Sequence, residues 1–151
     1  MKRGESVVRG KRVLGGSGGL RSWAAIGEYL CAEFPGCEKD PPGGREVVRV
    51  GGKVLAHLAV NERSRAAGTP ANEEFVVVRI GFERRAELLE SNPEAYFVTP
   101  HYQNWPAVIV RLTTVDQREL KELLSEAWRF VAPRRMVRAR DAEGRVDRLA
   151  R

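Results

Sequence analysis

Cysteine is scarce in this chain, which has only Cys31 and Cys37, with Pro35-Gly36 between them. Their spacing is neither a C-x-x-C redox pair nor half of a four-ligand zinc site. The basic N-terminus lacks the apolar core of a secretion signal. Together these features point to free thiols in a reducing, cytoplasmic setting, with Cys31 as core filler. Histidine is as scarce. Neither His57 nor His101 has a carboxylate or cysteine at metal-like spacing, and a His57–His101 acid–base pair would lack a third, orienting group. Glu83, Glu87 and Glu90 run along one helix edge, the pattern of a solvated face. The sequence therefore gives no catalytic residue, metal or cofactor, and the expectation is that the protein is not an enzyme. No apolar run approaches the ~20 residues that cross a bilayer, so no membrane partner is expected.

What is present is the composition of a globular domain: 42% hydrophobic and 30% charged residues over 151 positions, enough for one core without staples. The net charge of +6 is unevenly spread. Residues 1–21 carry six Lys/Arg against one Glu, and residues 134–151 carry seven Arg against three acids. The segment between is slightly acidic, with 13 basic and 16 acidic residues. Basic ends attract any polyanion, so the high pI does not by itself identify a specific nucleic-acid site. The organisation expected is a disordered, Gly-rich basic leader over 1–21, one domain over 22–135, and a flexible basic tail over 136–151.

Within the domain, Ser22 reads as an N-cap for a helix over 23–34 with Trp23, Ile26, Leu30 and Phe34 on one stripe. Glu46–Val50 and Lys53–Val60 read as a hairpin around Gly51-Gly52. A three-residue loop with a glycine bulge would gather Val48, Val50, Val54, Ala56, Leu58 and Val60 on one face. It would turn Val47, Arg49, Lys53, Leu55 and His57 to the other. Residues 61–73 read as a polar loop and Glu74–Ile80 as a third strand. A short helix over 83–91 would use Phe82, Ala86 and Leu89. Tyr96–Val98 and Ala107–Leu112 complete about five strands. Asp116-x-x-Glu119 starts the strongest helix, 116–131, which Pro133 ends. Adjacent strands imply antiparallel pairing, and the fold class is α+β: two layers, a mostly antiparallel sheet with helices on one face.

The stretch Tyr96 to Pro106 concentrates aromatic, amide and imidazole groups in one loop bracketed by Pro100 and Pro106. Such a scaffolded loop suits contact with a partner, while the alternative is that Tyr102 and Trp105 fold back as a lid on the core. In the registers above, Arg49, Arg79 and Arg111 point from three strands to the uncovered sheet face, with His57 and Lys53 beside them. Basic heads over an apolar floor suit a phosphate backbone with stacked rings. They also suit a protein partner or self-association, or three arginines simply laying their stems on the sheet.

The hairpin Arg49-Val50-Gly51-Gly52-Lys53-Val54-Leu55-Ala56, the run Phe97-Val98-Thr99-Pro100-His101-Tyr102 through Trp105, and the helix Leu124 through Arg134 together resemble the MmcQ/YjbR family over about 22–135. The resemblance implies a frataxin-like, secretion-chaperone-like α+β domain and a predicted DNA-binding role through a double-wing motif. The wings map to the Arg49–Lys53 hairpin and the segment around His101–Trp105. The expected DNA-binding residues are Arg49, Lys53, His57, Arg79, His101, Tyr102, Gln103, Asn104, Trp105 and Arg111. Binding would be weak or non-specific, because the domain is net acidic and no helix within it carries a basic stripe. The alternative partner is a protein, or a second copy, on the same face.

Overall fold

The structure is a computed structural model that describes residues 19–59 and 74–150, with side chains as far as 145. Ser22 accepts a hydrogen bond from the Ala25 amide at 3.2 Å and caps α1, Trp23–Glu33, satisfying an amide that the helix leaves unpaired. Its stripe of Trp23, Ile26 and Leu30 is buried, as is Phe34 just beyond it. Asp116 caps α3, Gln117–Val131, by accepting from the Glu119 amide at 3.0 Å. Leu120, Leu123, Leu124, Ala127, Trp128 and Val131 turn inward at helical spacing.

Between these helices the chain forms β1 (Cys37–Lys39), β2 (Val47–Val50), β3 (Lys53–Leu58), β4 (Phe75–Arg79), β5 (Tyr96–Phe97) and β6 (Ala107–Arg111), with α2, Phe82–Ser91, between β4 and β5. The sheet order is β1-β2-β3-β4-β6-β5, and every pairing is antiparallel. The main core joins α1, α2 and α3 to the inner residues Val48, Val50, Val76, Val78, Val108 and Val110. The fold is thus α+β in two layers, with the helices on one face. The sixth strand, β1, lies outside the five expected from sequence. It is three residues long, with one half-buried and two exposed side chains, too short to show alternation.

Three other expectations are corrected. In α2 the buried residue is Leu88, whereas Phe82 is 49% exposed and Ala86 lies in solvent. The basic tail, expected without regular structure, is helical in the described residues: Arg134–Ala150 forms α4. The Pro133 carbonyl accepts from the amides of Met136 and Val137, so the proline that ends α3 also opens α4. Met136 and Val137 pack against the main core, and Arg140 donates to the Glu33 carbonyl at 3.0 Å. At the other end, Leu20 is fully buried and Arg21 donates to the carbonyls of Leu112 and Val115. Ordered packing therefore reaches into the expected leader. Its residues 1–18, the expected loop 61–73 and the end of the expected second strand, Val60, lie outside the described residues.

Candidate nucleic-acid interface

The hairpin differs from its expected form. Val50 pairs directly with Lys53, and Gly51 and Gly52 have φ of +61° and +82°. This is a two-residue turn with both residues left-handed, the conformation that favours glycine. The bulge sits one step along, where Val48 pairs with Ala56 and Arg49 with Val54, leaving Leu55 as the extra residue. The bulge restores phase, so Val48 and Ala56 face the helices and Val47 and His57 face away. Leu55, expected on the outer face, is buried in the main core beside Ala56. Lys53, also expected there, shares the helix side with its partner Val50, because directly paired residues point the same way.

The outer face is not open. Phe75, Val77, Ala107 and Ile109 form a second buried cluster with Ala59, and Tyr102 closes over them, with Phe97, Val98 and Trp105 at its margin. A 3₁₀ turn at Pro100–Tyr102 folds the loop back. Arg85 of α2, which the sequence reading did not select, holds the loop there. Its Nη1 donates to the carbonyls of Tyr102, Trp105 and Ala107 at 2.9–3.2 Å, and its Nη2 donates to Gln103 O at 2.9 Å. Arg84 and Arg85 are adjacent in α2, and no sequence signal separates them. The first turns outward to Glu87 and Glu126 and the second turns under the loop. Tyr102 and Trp105 thus form the lid.

The three strand arginines are dispersed and engaged. Arg49 pairs with Asp40. Arg79 donates from Nε to Pro106 O at 3.1 Å and lies 4.6 Å from the Trp105 ring. Arg111 donates to Glu94 O at 3.0 Å and lies over Phe75 and Phe97. Arg79 and Arg111 sit at opposite ends of the β4–β6 ladder, since Arg79 pairs with Ala107 and Arg111 with Phe75. That places them about 13 Å apart at ~3.3 Å per residue. They do not converge into one phosphate-binding row.

The loop and sheet leave a concavity of about 450 Å³ lined by His57, His101, Tyr102, Asn104 and Trp105. His57 Nδ1 lies 3.1 Å from Leu58 O. A carbonyl can only accept, so Nδ1 carries the proton in the neutral ring and Nε2 accepts from the Tyr102 hydroxyl at 3.4 Å. Burial lowers the His57 pKa, and the hydrogen bond to Leu58 opposes that shift. His101 meets the Tyr102 ring edge-on at 4.7 Å and is exposed, as are Gln103 and Asn104.

A basic surface lies instead at the hairpin end. Gly51 approaches Pro133 so closely that a β-carbon there would lie 2.9 Å from the proline Cγ. The hairpin tip therefore abuts the α3–α4 junction. Lys53 on the hairpin and Arg134, Arg135 and Arg138 on α4 are all exposed, and none has an acidic partner among the described residues. The Arg79–Trp105 pair occupies the same end of the sheet and continues to Phe130, which is 46% exposed and 5.8 Å from the Arg79 guanidinium. The α4 arginines escaped the sequence reading because Pro133 reads as a stop. The apolar pair Met136-Val137 just after it is the signal that could have shown a docked helix.

These features define a class of small α+β domain: a six-stranded antiparallel sheet, helices on one face, and a proline-bounded aromatic loop roofing the other. The YjbR family model matches residues 32–130, and the chain belongs to that family. It is 40% identical over 98 residues to Uncharacterized protein Rv2570 of Mycobacterium tuberculosis and, to the same extent, to Uncharacterized protein Mb2600 of Mycobacterium bovis. Each alignment covers 60% of this chain and 76% of the relative. Among solved structures it is similar to Deinococcus radiodurans protein DR2400, a DUF419 domain, with a TM-score of 0.54 and 22% identity. That match covers 74% of this chain and 82% of the other, a likeness of fold. Neither the family nor these relatives' names indicate an enzymatic activity. Among the described residues no helix is long and apolar enough to cross a membrane, and no group of metal-ligating side chains is assembled.

Proposed function

We propose that this chain is a DNA-binding protein whose contact surface is the hairpin end of the sheet. The observation that carries the reading is the abutment of Gly51 on Pro133, which joins the hairpin of the exposed Lys53 to the helix of the exposed Arg134, Arg135 and Arg138. Four exposed cations without an acidic partner among the described residues suit phosphate contacts, which position a protein on nucleic acid without reading sequence. The Gly51-Gly52 tip acts as a wing, and Arg79, Trp105 and Phe130 extend the surface with rings. His101, Gln103 and Asn104 are solvent-facing and available as secondary contacts. Arg49, held by Asp40, and Arg111, held by Glu94 O at the far end of the β4–β6 ladder from Arg79, are not among its contacts. Binding is weak and non-specific, in a cytoplasmic setting suggested by the two free thiols.

Amide chemical-shift mapping of the full chain with a mixed-sequence duplex tests this reading. Shifts at Gly51, Gly52, Lys53 and residues 134–138 are expected. Shifts confined to residues 1–18 would contradict it. The exposed rings of Phe82 and Phe130 favour a second reading, a protein partner at this end. Self-association that the Phe130→Ser substitution abolishes, without any response to DNA, would select that reading.

A further inference from the structure

We propose that the concavity at His57, His101, Tyr102, Asn104 and Trp105 takes one unpaired nucleobase, so that the protein prefers single-stranded to duplex nucleic acid. This rests on the nucleic-acid reading above and names the part of the ligand that the loop recognises. The concavity is about 450 Å³, within the ~300–1,000 Å³ typical of small-ligand sites. Four of its five described lining residues carry rings, and the fifth, Asn104, is an exposed amide at the rim. Aromatic rings seat any base by its π-face. An amide offers both a donor and an acceptor to a base edge.

Among the described residues the lining holds no carboxylate, so none of them repels the phosphates that must follow a base into the site. Arg79 brings positive charge to the rim, 4.6 Å from the Trp105 ring, and connects it through Phe130 to the basic hairpin end. A strand laid along that end can therefore place one base against Trp105 and His101. The loop is held by Arg85 through four carbonyls, so the site is preformed and needs no ordering on binding. A base in a duplex stays in its stack and cannot enter without unpairing.

Trp105 supplies the readout. The other two tryptophans, Trp23 and Trp128, are buried, so quenching by an added base reports Trp105. The experiment is a fluorescence and affinity titration of the full chain with a thymine homopolymer, a duplex of equal length and thymidine monophosphate. The homopolymer is expected to quench the emission and to bind roughly ten-fold more tightly than the duplex. His101→Ala and Asn104→Ala should lower single-strand affinity by a larger factor than they lower duplex affinity. Trp105→Phe should remove the quench and retain binding, since a ring remains. Equal binding of both nucleic acids without quenching would overturn the single-strand site and leave the duplex-binding surface standing. Quenching by the mononucleotide with no binding of the homopolymer would overturn it in favour of a free-nucleotide site. Binding of no nucleic acid at all would overturn both readings.

Discussion

Gly51 and Pro133 are in contact across the hairpin and the α3–α4 junction, with no room for a side chain on the glycine. That contact fixes where the basic helix α4 stands relative to the hairpin. Gly51→Ala must accommodate both a left-handed φ of +61° and a 2.9 Å approach to the proline ring. The expected cost is about 2–4 kcal/mol, read from urea unfolding. Gly52 shares the left-handed conformation but has open space around it. Gly52→Ala should cost about 1–2 kcal/mol, and Gly52→Asn less. Equal costs for the two alanine substitutions would show that the Pro133 contact does not constrain the tip.

Arg85 organises the aromatic loop from below. Arg85→Ala removes donors from four carbonyls and is expected to destabilise the protein by about 1–2 kcal/mol. Hydrogen exchange should accelerate at the amides of Tyr102, Gln103 and Trp105, with little change in α3. Arg85→Lys should not restore protection, because an ammonium cannot span carbonyls that a planar guanidinium reaches with two nitrogens.

His57 gives the protein a pH dependence of definite sign. Burial holds its folded-state pKa below the ordinary 6.5, so the unfolded chain binds the proton more readily. The stability associated with neutral His57 is complete above about pH 6.5. It declines as pH falls below that value and levels off under the folded-state pKa. Thermal unfolding of the protein and of His57→Gln between pH 8 and 5 checks this. The difference between their curves should narrow towards acid, and a constant difference would contradict the assignment.

Helices α1 and α3 and most of the inner sheet face were legible in the sequence because their signals are local. Ser22 and Asp116 carry their caps within three residues, and Leu120 to Val131 repeat at a helical period. The outer face was not legible. Whether Arg49, Arg79 and Arg111 stand free depends on Asp40, Pro106 and Glu94, distant in sequence or hidden in loops. The hairpin register depended on a bulge at Leu55, and valines alternating on both sides of Gly51-Gly52 fit either turn length. The concavity was half legible: the rings of Tyr102 and Trp105 were visible as a group, but their inward fold depends on Arg85, which resembles any surface arginine.

Docking of α4 is a condition of the proposed surface. Met136 approaches Gly36 closely and packs with Val137 on the main core. Met136→Asp places a charge in that contact and should release α4 while the sheet domain stays folded. Trypsin should then cleave after Arg134, Arg135 and Arg138 markedly faster, and duplex affinity should fall. Unchanged affinity in the released protein would mean that the arginines act as an unstructured basic segment.

The most direct measurement is an anisotropy titration of the full chain against a mixed duplex at several salt concentrations, comparing two sets of substitutions. Lys53→Ala with Arg134→Ala and Arg135→Ala removes exposed cations at the hairpin end. Arg49→Ala with Arg111→Ala removes the strand arginines that are already engaged. The first set should weaken binding and reduce the salt slope by about one per cation removed, while the second leaves both unchanged. A loss confined to the second set would return the site to the sheet face and contradict the hairpin-end surface.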